Sequence, residues 1–198
     1  MSEVDGRARG SHNTSSEVHM LAYLFVLIAV AVRVLAGTGT FATLGFTPVG
    51  ASLLFFGSRM PRKHLWAPVA LLIASDLYLN YQVYGMTLTW DQMVVWAWYA
   101  GACGIGMLLK GRVKPLYVAG AAVGSAGSFF LISNFAVWLA GNLGYAKDLG
   151  GLLACFAAAL PFFEKGLASD LLFSAIFFSI PVMIAQVRAA VEHKRAAI

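Results

Sequence analysis

The segment 129–141 reads FFLISNFAVWLAG, apolar enough for lipid yet carrying Asn134 in its middle and Trp138 one helical turn later. Residues at that spacing share a helix face, where an amide can hydrogen-bond a solute and an indole can stack on it. Ionisable groups stand in other apolar stretches of the chain: Arg33, Asp76 and Asp170. Each costs about 2.5–3.5 kcal/mol at the centre of a membrane helix, so each needs a partner or a task. A guanidinium at Arg33 suits an anionic group on a ligand. Asp76, with Asn80 one turn on, supplies hydrogen bonds, and Trp96 a second aromatic wall. The candidate substrate-binding set is Arg33, Asp76, Asn80, Trp96, Asn134, Trp138 and Asp170. The same residues admit another reading, in which Arg33 pairs with Asp76 or Asp170 only to fix helix packing.

The elements that must position these groups follow from composition. The chain has 198 residues, 60% hydrophobic and 12% charged, where soluble domains carry about 25% charged residues. Its mean hydropathy is +0.75, so an integral membrane protein is expected. Apolar spans run over 20–37, 46–58, 66–84, 91–109, 115–141 and 166–190, most of them near the roughly 20 residues that cross about 30 Å of hydrocarbon as helix. The second is short. A further apolar stretch at 149–163, broken by Pro161 and followed by Glu164 and Lys165, suits an interfacial or re-entrant helix. Residues 1–19 are polar and without apolar periodicity, which predicts a disordered tail. The partition is thus a tail at 1–19, a transmembrane domain at 20–190 and a basic C-terminal tail at 191–198.

Loop charges orient the bundle, because Lys and Arg of short loops stay in the cytoplasm. Arg7 and Arg9 lie in the tail, RMPRKH in the 59–64 connection, KGRVK at 110–114, and RAAVEHKR near the C-terminus. The alternate connections hold only Lys147 and Lys165, against Asp148 and Glu164. Six crossings with both termini cytoplasmic satisfy every loop. That arrangement sorts Arg33, Asp76, Asn80, Asn134, Trp138 and Asp170 into the outer half and leaves the inner half nearly without polar side chains, as an outward-facing pocket would require. The uncharged Gly- and Thr-rich loop 38–46 suits a lid over it. Gly120 and Gly124, at GxxxG spacing, suit close helix packing or a partner's docking face.

Several classes are excluded. His12, His19, His64 and His193 lie in tails or a cytoplasmic loop, so no intramembrane haem or zinc site is expected. No GxxxxGK[ST] or GxSxG occurs, and the two cysteines form no CxxC; neither ATP hydrolysis nor hydrolase chemistry is expected. The net charge of +5 is what membrane topology places at helix ends, so no nucleic-acid partner is expected. The chain reads as a non-enzyme without a resident cofactor.

TPVGASLLFFGS at 47–58, SD at 75–76, SNFAVWL at 133–139, GLLACFAAALPFF at 151–163 and SDLLFS at 169–174, with Arg33 upstream, together resemble an uncharacterised bacterial six-helix family. That family is similar to the substrate-binding S components of energy-coupling-factor (ECF) transporters. The resemblance implies a multi-pass protein of the inner (cytoplasmic) membrane that captures a small micronutrient, a vitamin or cofactor-like solute, from the outer side. It implies as partners the lipid bilayer and a transmembrane energising subunit with ATPases. It also raises Cys155 as a soft ligand for a metal-bearing cofactor. The first helix departs from the Ala-x-x-x-Ala docking face of S components, since Val26 follows Ala22 and Arg33 follows Ala29. The alternative is a non-catalytic accessory subunit of a larger membrane complex, with the polar cluster as an internal brace.

Overall fold

The computed structural model describes residues 2–39 and 46–196. Among them are six α-helices: α1 (Ser2–Gly37), α2 (Val49–Arg59), α3 (Trp66–Tyr78), α4 (Trp90–Met107), α5 (Pro115–Ala140) and α6 (Leu149–Ala196). Three helical stretches, Ser16–Gly37, Pro115–Ala140 and Leu149–Arg195, are long and apolar enough to cross a membrane. The protein is an all-helical membrane protein.

The centre of the bundle is α2. Its residues from Val49 to Ser58 are all buried, as expected of a helix apolar on every side. At 11 residues it is about 16 Å long, half of what a crossing needs, which accounts for the short apolar span at 46–58. Its serines are satisfied locally: Ser52 donates to the Val49 carbonyl at 2.8 Å and Ser58 to that of Phe55 at 2.7 Å. Aromatic rings bind α2 to its neighbours. Phe55 packs edge-on to Phe25 of α1 at 4.9 Å and to Phe178 of α6 at 5.1 Å, while Phe25 stacks on Phe177 at 4.0 Å. Against α4 the contact is backbone to backbone. A Cβ on Gly57 would overlap the Cys103 carbonyl oxygen, and one on Gly106 would overlap that of Leu54.

The helices α5 and α6 form an antiparallel hairpin. Proline at the first position of α5 and left-handed Gly141 (φ 77°) after its last turn delimit it as such residues do. Adjacent charges in the turn then serve both helix ends. Lys147 donates to the carbonyls of Trp138 and Leu139 at the end of α5, while Asp148 accepts from the Gly151 N–H at 2.7 Å at the start of α6. Each sign matches the helix dipole it faces.

The structure corrects several expectations. The stretch at 149–163 is no separate interfacial helix: α6 runs unbroken for 48 residues, with Pro161 and Pro181 inside it. A proline forfeits one backbone bond, a loss membrane helices tolerate where neighbours support the backbone. Here Phe156 and Phe163, on either side of Pro161, both pack on Phe130 of α5 at 5.4 and 4.7 Å, so one partner holds both halves in line. Residues 2–19, expected to be disordered, are the first turns of α1, and 191–196 are the last turns of α6. Once a helix is nucleated, extending it adds one bond for each residue fixed. Glu17 in the first extension pairs at 2.6 Å with Arg188, just before the second. A Cβ on Gly120 or Gly124 would meet no other described element within 4 Å; the close approach is at Gly57 and Gly106 instead. Residues 40–45 of the expected lid lie outside the described residues.

The basic connections gather at one end. Lys110 donates to the Met60 carbonyl at 2.6 Å, and Tyr23 of α1 meets His64 at 3.0 Å. The opposite end carries the 141–148 turn, where Asn142 donates to Asp91 at 3.4 Å.

Candidate functional site

The predicted polar residues fall into three separate arrangements. The first is a brace between α1, α3 and α4. Arg33 forms an ion pair with Asp76, which is only 1% exposed, and donates to the Tyr99 hydroxyl at 2.6 Å. The second carboxylate oxygen of Asp76 accepts from Tyr99 at 3.0 Å, Trp96 at 2.9 Å and Gln92 at 3.2 Å. Gln92, Trp96 and Tyr99 stand at i, i+4 and i+7 of α4, one stripe of that helix. Arg33, Tyr99, Trp96 and Gln92 thus converge on one carboxylate, and Arg33 and Tyr99 are also bonded to each other. Tyr99 and Gln92 were not among the residues expected from sequence; the stripe is the signal that would have found them. Asn80, one turn beyond Asp76 in an ideal helix, falls instead in a π-helical turn at Leu79–Val83. The wider turn shifts the face on which residues after it lie, and Asn80 makes no hydrogen bond to Asp76.

The second arrangement joins α6 to the start of α2. Asp170 accepts from the Ala51 N–H at 3.2 Å, and Ser169 donates to the Thr47 carbonyl at 2.8 Å. No side chain within α2 caps its N-terminus, so Asp170, 119 positions away, supplies the anionic cap. Gly50 makes room for it: a Cβ there would overlap the carboxylate. The motifs at 47–58 and 169–174 are thus two halves of one joint. Asp170→Ala is expected to destabilise the protein by about 1–2 kcal/mol, read as a lower thermal midpoint in detergent. Asp170→Asn, which keeps the acceptor, should cost less than half as much. Equal losses would show that Asp170 does not cap α2.

The third arrangement is a cavity of 310 Å³ between α4, α5 and α6. Its walls are the rings of Trp98, Phe129, Phe130, Phe162 and Phe163; its polar lining is Ser133, Asn134 and Asp170. Trp98 of α4 is held against α5 by its indole N–H on Ser128 at 3.1 Å and by Phe129 at 4.6 Å between ring centres. Sites for small ligands are concave and largely apolar, of about 300–1,000 Å³, with a few convergent polar groups. Of the predicted set only Asn134 and Asp170 line this cavity. Trp98, Ser133 and the four phenylalanines were missed; an aromatic side chain in a lipid-facing helix gives no sequence sign of whether it meets lipid or a cavity.

A family model matches residues 13–192, nine-tenths of the chain and all of the brace, the joint and the cavity. The chain belongs to DUF6580, a family of unknown function. No curated protein and no solved structure matches it. The DUF6580 match also takes in the remaining predicted residues, Trp138 and Cys155. Trp138 does not reach the cavity: its indole donates to the Ala146 carbonyl at 2.8 Å, and Lys147 lies over its ring at 5.3 Å. It secures the turn between α5 and α6. Cys155 is buried and its thiol meets the Asn134 carbonyl at 3.5 Å. Among the described residues no three His, Cys, Asp or Glu side chains gather to hold a metal.

Proposed function

We propose that this DUF6580 protein is a membrane transporter subunit that binds a small micronutrient-like solute for uptake, in the manner of an ECF S component, and that the site is the cavity between α4, α5 and α6. The observation that carries this reading is that cavity itself, walled by five aromatic rings with Asn134 and Asp170 among them. The charge distribution supports this reading: the basic connections gather at the other end of the bundle, and by the positive-inside rule the cavity would then face the outer side of the inner membrane. In the six-crossing topology that the charges favour, α2 serves as a short central helix, and the basic extensions of α1 and α6 reach into the cytoplasm. Arg33 and Asp76 hold the bundle in shape and do not touch the solute.

An energising membrane subunit with its ATPases would dock elsewhere than on the α1 face that S components use, because Ala22, Val26 and Ala29 are all buried. The alternative, an accessory subunit of a larger complex, is favoured by one observation: Gly120 and Gly124 present an open small-residue face on α5, of the kind that lets helices approach closely in lipid. Small molecules released on denaturing the detergent-purified protein and identified by mass spectrometry decide between the two. Transport predicts one solute in near-stoichiometric amount, diminished by Asn134→Leu at unchanged stability. A stoichiometric protein partner with no solute supports the accessory role.

A further inference from the structure

Resting on that reading of the cavity, the geometry points to the charge class of its solute: a cation, carried on a flat apolar body. Among the described residues no Lys, Arg or His lines the cavity, and the one ionisable side chain there is a carboxylate, Asp170. The lone guanidinium at that depth, Arg33, is consumed in the ion pair with Asp76 and the bond to Tyr99. An anionic solute would therefore enter a site with no counter-charge.

The neutral polar groups point the same way. Ser133 donates its hydroxyl proton to the Phe129 carbonyl at 2.6 Å, and Asn134 turns its amide nitrogen onto the Phe130 carbonyl at 2.7 Å. The Trp98 indole N–H is spent on Ser128. With the Ser133 and Trp98 protons and one N–H of Asn134 turned onto the protein, what remains toward the cavity is the Ser133 lone pairs, the Asn134 carbonyl with its second N–H, Asp170, whose carboxylate also caps α2, and the faces of aromatic rings, a lining in which acceptors outnumber donors. Aromatic faces attract cations through the ring quadrupole, most strongly where water is excluded, and a buried carboxylate is stabilised by a cation brought to it. A positively charged, hydrogen-bond-donating ring system satisfies all of these at once. A neutral ring satisfies only the apolar walls.

The test titrates detergent-purified protein with three probes of one shape: N-methylquinolinium as the cation, 1-methylnaphthalene as the neutral ring and 1-naphthoate as the anion. Ala159→Trp, which fills the cavity from α6, defines the site-specific part of each signal. The expected result is binding of the quinolinium about ten-fold or more tighter than either other probe, lost in Ala159→Trp. Asp170→Asn, which keeps the acceptor for Ala51, should weaken the cation and leave the neutral ring unchanged. If 1-methylnaphthalene or 1-naphthoate binds at the cavity as tightly as the quinolinium, the charge assignment is overturned while the cavity remains a solute site. If none of the three shows a component that Ala159→Trp removes, and no solute is released from the wild-type protein, both fall.

Discussion

Arg33→Leu lowers the stability of the folded protein by about 3–5 kcal/mol, because it leaves the Asp76 carboxylate buried with no counter-charge. Asp76 is 1% exposed, so solvent cannot take over the role of the guanidinium. The loss should be largely restored in Arg33→Leu/Asp76→Asn, where the charge is gone but an acceptor remains for Tyr99, Trp96 and Gln92. Removing one half of a buried pair is costly, whereas removing both charges together is far less so. Thermal unfolding of the two variants in detergent measures this directly. A solute-holding Arg33 would behave differently: the single variant would keep its unfolding midpoint and lose its ligand, and the double variant would restore nothing.

A comparable loss is expected at the crossing of α2 and α4. Gly106→Ala and Gly57→Ala each place a methyl group on a carbonyl oxygen of the facing helix, Leu54 or Cys103. Both partners are backbone in regular helix and neither can rotate away, so the helices must separate. Overpacking of this kind costs about 1–3 kcal/mol and at times more; the cost falls on the most buried helix of the bundle. Gly120→Ala and Gly124→Ala provide the opposite sign. A Cβ at either position would meet nothing from the rest of the described residues within 4 Å, so the added methyl should stabilise by about 0.5–1 kcal/mol through helix propensity. The same unfolding assay checks all four. Destabilisation at 120 or 124 would mean that this face is packed, as it would be against a partner.

The long spans were legible because lipid imposes a plain requirement, an apolar run of fixed length, and 20–37 and 115–141 meet it. The fusion of 149–163 with 166–190 was not, since Pro161, Glu164 and Lys165 read as a break; what carries the helix through them is Phe130 on α5, and such support appears only when two helices face each other. The pairing of Arg33 with Asp76 could be anticipated as one of two ion pairs, from the cost of leaving either charge alone. The role of Asp170 could not, because its partner is a backbone N–H 119 positions away. Asn134 and Trp138 share a segment and one helical turn yet part company: Asn134 lines the cavity, while the turn residues Ala146 and Lys147 claim Trp138.

The central claim is that the cavity between α4, α5 and α6 holds a solute while the charged cluster beside it holds the fold. Native mass spectrometry of the wild-type protein and Ala159→Trp, prepared side by side, tests this most directly. The account predicts a discrete small-molecule adduct on the wild type that is absent from Ala159→Trp, with both proteins folded to the same helical content by circular dichroism. An adduct of equal abundance on Ala159→Trp, or none on either protein, would contradict it.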